Sequence, residues 1–117
     1  MIDRSTHPTV VEYAIRELFK GKSPAAAARF TEKKLSGARN VFLGPGVSTV
    51  SAPALEAAIW DELRDIVING LPNVKPGFEH FVLYGTLERF KQKESLRGKL
   101  KAMVVKKMGR DPFPNDR

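Results

Sequence analysis

Apolar positions recur at three- and four-residue steps over most of this chain, which predicts helices rather than strands. Over residues 8–20, Val11, Ala14, Ile15, Leu18 and Phe19 fall on one stripe. Pro8 suits the first turn of that helix, where its missing N–H would have no partner, and Gly21 supplies a left-handed stop. A second helix is expected from Pro24 to about Phe30. Ser23 can accept an unpaired N–H there, and the four alanines Ala25 to Ala28 allow close backbone approach at no side-chain entropy cost. Thr31-Glu32-Lys33-Lys34-Leu35 adds a further turn before Gly37 breaks the pattern.

The stretch 40–52 is the least regular. Val41-Phe42-Leu43 and Val47-Ser48-Thr49-Val50 flank Gly44-Pro45-Gly46, a pattern for a short β-hairpin at about 41–50 or a loop. A third helix over 53–69 carries Leu55, Ala58, Ile59, Leu63, Ile66 and Val67 on its apolar face, holds Glu56 in its first turn, and stops at Gly70-Leu71-Pro72. Phe78, Phe81, Val82, Leu83, Leu87 and Phe90 predict a fourth over about 78–92, with Gly85 as a close-packing point or a break. Leu96, Leu100, Met103 and Val104 predict a fifth over 94–108, ended by Gly109. The two prolines of 110–117 predict an extended or flexible tail. The fold class expected is all-α, a bundle of four or five helices forming one domain over 1–109.

At 117 residues the chain is long enough to bury a core unaided, and with no cysteine it forms neither disulfides nor thiolate metal sites. No signal-like N-terminal core and no membrane-length apolar run occur, so a cytoplasmic protein with no membrane partner is expected. Charge changes the picture most. The formal net charge is +7, and it is unevenly placed: eight Lys/Arg against four Asp/Glu in residues 1–50, two against five in 51–86, ten against four in 87–117. Two basic ends flank an acidic, apolar middle, and a polyanion is the first partner to consider.

Catalytic chemistry has little to build on. His7 and His80 are the only histidines, and Glu79 and His80, adjacent on a helix, would project about 100° apart, too far round to hold one metal. Asp61 and Asp65 share a helix face beside Glu62 but read as a solvated acidic surface. Gly44-Pro45-Gly46 lacks the lysine and hydroxyl of a phosphate loop. Trp60 reads as a core anchor. No enzyme activity, metal or cofactor is expected.

Nucleic-acid binding has more support. Lys22 to Phe30 resembles the small-residue supporting helix of a helix-turn-helix, with a recognition segment sought either in Glu32 to Arg39 or in Gly46 to Ser51. Lys33, Lys34 and Arg39 are the candidate contacts there. Along the last helix, Lys93, Arg97 and Lys101 border one side of the apolar stripe and Lys99 and Lys106 the other, with Lys107 beside them. All are placed to reach phosphates. The expected function is a small non-enzymatic regulator or accessory factor bound to double-stranded DNA. The competing expectation is a protein-interaction module or homodimer acting through the apolar and acidic face of residues 53–69.

Overall fold

Five α-helices, and no strand among the described residues, make up this computed structural model, which describes the backbone of residues 8–42 and 51–114 and the side chains of 10–34 and 51–114. They are α1 (Pro8–Leu18), α2 (Pro24–Phe42), α3 (Ala52–Gly70), α4 (His80–Arg89) and α5 (Arg97–Met108), with 3-10 turns at Leu71–Asn73 and Glu94–Leu96. The all-α class is thus as expected. Two units divide within α3, Met1–Trp60 and Asp61–Arg117.

In the first unit α1 packs on α2. Val10, Val11, Ala14 and Leu18 are buried on α1, and Ala27 and Ala28 are fully buried on α2, where methyl side chains let the two helices come close. Gly21, at φ 94°, closes α1: its N–H bonds Leu18 O at 2.9 Å and the Lys22 N–H bonds Glu17 O at 3.4 Å. Ser23 Oγ then accepts the Ala26 N–H at 3.2 Å and starts α2.

Two expectations fail after that start. The helix expected to end near Phe30 or one turn later runs on to Phe42 through Gly37. One glycine costs a helix only about 1 kcal/mol, no proline intervenes before Pro45, and fully buried Thr31 extends the inner row of Ala27 and Ala28. The strand expected at Val41-Phe42 is therefore the end of a helix, while residues 43–50 lie outside the described residues. The start of α3 is tied back to α2, because the Glu32 carboxylate accepts the Ala52 N–H. Leu55, Ala58, Ile59 and Trp60 are buried, Trp60 as a core residue as expected.

In the second unit the core is Leu63, Val67, Leu71, Leu83, Leu87, Phe90, Leu100, Val104 and Phe113, and α4 packs on α5. Buried Thr86 satisfies its hydroxyl by donating to Val82 O at 2.8 Å. Gly85 is neither a break nor a packing point: α4 runs through it, and an added Cβ would meet nothing within 4 Å. At the end of α4, Lys91 takes the left-handed conformation (φ 54°) usually left to glycine, with the Lys91 N–H on Glu88 O and the Gln92 N–H on Leu87 O. At the end of α5, Gly109 does the same at φ 75°.

Two further differences concern aromatic residues. Phe78 precedes α4, and Phe81, placed by spacing on the apolar stripe, lies about 160° round the helix from Leu83 at 100° per residue. Both rings face solvent, 50% and 55% exposed. The tail beyond Gly109 also carries an anchor that its prolines gave no sign of. Phe113 is 1% exposed, its N–H donates to Asp111 Oδ1 at 2.9 Å, and Asp111 Oδ2 lies 3.6 Å from Lys101 Nζ.

Candidate nucleic-acid interface

In the first unit two lysines meet at one ring. Phe30, half-buried on α2, has Lys22 Nζ at 4.7 Å from its centroid and Lys34 Nζ at 5.4 Å, both within cation–π range. Arg29 and Lys33 are exposed on the same helix. Lys22 is held from behind by Glu17, a buried acid whose Oε1 lies 3.0 Å from it and whose Oε2 lies 2.9 Å from Lys20 Nζ. The hydrogen bond from Lys20, assisted by Lys22, lowers the Glu17 carboxyl below its ordinary value against the opposing effect of burial, and Lys20 is raised in turn by Glu17. This acid thus anchors Lys22, one of the two lysines on the ring.

Lys33 and Lys34 therefore belong to a set that also contains Lys22, Arg29 and Phe30, none of which the spacing argument had chosen. The signal was present: Phe30 and Lys34 are four residues apart, one turn along a helix face. Arg39 stands differently. With α2 continuous, six residues place it about 120° round the helix from Lys33, and its side chain lies outside the described residues. A continuous α2 also removes the tight turn that a helix-turn-helix needs after its supporting helix. Glu32 to Arg39 is more of the same helix, and most of the other candidate segment, Gly46 to Val50, lies outside the described residues.

In the second unit, α5 sorts its cations by flank. Arg97 donates from Nε to Glu94 Oε1 at 2.9 Å and Lys101 pairs with Asp111, and both are about a quarter exposed. Lys99 and Lys106 lie about 20° apart on the opposite flank and are exposed, as are Lys107 in the last turn and Lys93 before the Glu94–Leu96 turn. Lys106 and Lys107 also sit where the negative end of the helix dipole favours a cation.

Beside α5 lies an aromatic group. Phe78 and Phe81 stack with centroids 5.8 Å apart and planes 18° from parallel, His80 tilts against Phe81 at 4.1 Å, and Tyr84 meets His80 edge-on at 6.2 Å. The Arg97 guanidinium lies 5.5 Å from the Tyr84 ring. His80 Nδ1 is buried and has no hydrogen-bond partner among the described residues. No known protein family, curated protein or solved structure matches this chain.

The paired acids weighed for cation binding are otherwise engaged, and His7 lies outside the described residues. Arg64 lies between Asp61 and Asp65, at 3.3 and 3.2 Å. Among the described residues no group of three or more His, Asp or Glu side chains is placed to hold a metal, and no helix is long and apolar enough to cross a membrane.

Proposed function

We propose that this chain is a small non-enzymatic nucleic-acid-binding protein that grips the phosphate backbone of double-stranded DNA, as a regulator or accessory factor. The observation that carries this reading is the α2 cluster. Two ammonium groups are held on the Phe30 ring with Arg29 and Lys33 exposed on the same helix, and cations fixed in advance lose less side-chain entropy on meeting a phosphate. The exposed Lys99, Lys106 and Lys107 of α5 support it with a second row in the second unit. Contacts of this kind give affinity and orientation without sequence choice.

The protein-partner alternative drew on a broad apolar face of α3. Leu55, Ile59, Leu63 and Val67 on that face are buried, which weakens it there.

Titration of a labelled duplex at several salt concentrations tests the proposal. Binding should weaken steeply with salt, each phosphate contact contributing about 0.9 to the log–log slope. Lys33→Glu with Lys34→Glu should flatten that slope by about two such contacts and weaken binding to all sequences alike. No binding at low salt, or tight binding indifferent to salt, overturns it.

A further inference from the structure

We infer that Phe78 and Phe81 form a stacking shelf for unpaired bases, so that this protein also takes single-stranded nucleic acid through its second unit. The inference rests on the nucleic-acid reading above and gives it a second ligand form. Two neighbouring phenyl rings, each about half exposed and only 18° from parallel, present flat apolar area that the fold does not cover. The shelf is braced: His80 packs on Phe81 at 4.1 Å and Tyr84 supports His80 from the edge. A rigid aromatic face of this kind suits bases, since every base has a π-face and stacking needs no particular sequence.

The surroundings distinguish bases from a protein partner. On the solvent face of α4, the positions that follow Phe81 are Gly85, Glu88 and Arg89, so along that helix the exposed apolar area stops at Phe81. A protein interface needs a far wider apolar centre with aromatic and aliphatic anchors together. The charge is also of the right sign for a phosphate chain. The second unit holds twelve Lys/Arg against eight Asp/Glu. Exposed Lys75 precedes the shelf, and exposed Arg89, Lys91 and Lys93 follow it. The helix surface one turn beyond Phe81 is uncrowded, because an added Cβ at Gly85 would meet no atom within 4 Å.

Fluorescence anisotropy on the full chain, with a labelled oligothymidylate of about 12 nucleotides and a labelled duplex, tests this. Phe78→Ala with Phe81→Ala should weaken oligothymidylate binding tenfold or more and leave duplex binding within twofold. Phe81→Trp, which keeps a stacking face, should retain single-strand affinity within about threefold. Both changes lie at half-exposed positions, and circular dichroism should show unchanged helix content. Equal losses on both ligands, no loss on either, or a wild-type chain that binds the duplex but not oligothymidylate would overturn the shelf and leave the phosphate-binding reading standing. Binding to neither ligand overturns both. Self-association of the wild type that the double alanine variant abolishes, seen in sedimentation, would make the rings a protein interface and overturn the inference.

Discussion

Glu17 shows what apolar spacing passes over at the level of one residue. It occupies a buried position of α1 among Val10, Ala14 and Leu18, yet it is an acid, retained because Lys20 donates to its Oε2 and the Lys22 ammonium lies 3.0 Å from its Oε1. Its carboxyl is lowered in the fold from an ordinary value of about 4.5, so its stabilisation is complete above that value and is lost as pH falls through the lower folded-state value. Glu17→Gln should therefore cost about 1 kcal/mol near neutral pH, a figure discounted because Lys20 is largely exposed. The gap between variant and wild type should narrow in thermal melts carried down to about pH 3. Lys91 is a second such residue, a bulky side chain where the backbone is left-handed. Lys91→Gly should raise stability by up to about 1 kcal/mol, read as a higher denaturation midpoint.

Helices were legible in the sequence to the extent that their stops were chemical. Gly21 and Gly109 end α1 and α5 at the expected places because each adopts the positive φ that only glycine takes cheaply. Gly37 and Gly85 carry the same letter and stop nothing, since the chain passes through both in helical conformation. A glycine therefore marks a helix end only when hydrogen bonds and packing select its left-handed state, which one residue's identity does not reveal. A paired substitution makes this measurable. An added Cβ meets nothing within 4 Å at either Gly85 or Gly109, so only backbone conformation separates them. Gly85→Ala should stabilise by about 0.5–1 kcal/mol and Gly109→Ala should destabilise by about 1 kcal/mol, both read from chemical denaturation. The register of α4 was lost for a related reason. Runs of apolar letters around Phe78 to Leu83 fit more than one stripe, and Thr86, a polar letter, completes the buried one.

For the molecule as a whole, net charge was the legible quantity and its arrangement was not. Composition pointed to a polyanion, and counting cations selected Lys33, Lys34, Lys93, Lys99, Lys106 and Lys107, all exposed. It selected Arg97 and Lys101 equally, although Glu94 and Asp111 engage them, because an ion pair formed by folding leaves no trace in a residue count. The same blindness covers the C-terminal segment, where two prolines suggested a loose end and Asp111 instead fastens Phe113 into the second unit. Amide exchange extends that observation beyond the last helix. The Phe113 N–H, bonded to Asp111 and attached to a ring that solvent barely reaches, should exchange with the slow class of Leu100 and Val104 rather than with its immediate neighbours. Opening of this segment and opening of the α5 core would then be one cooperative event, and a deuterium label would record protection outside every helix.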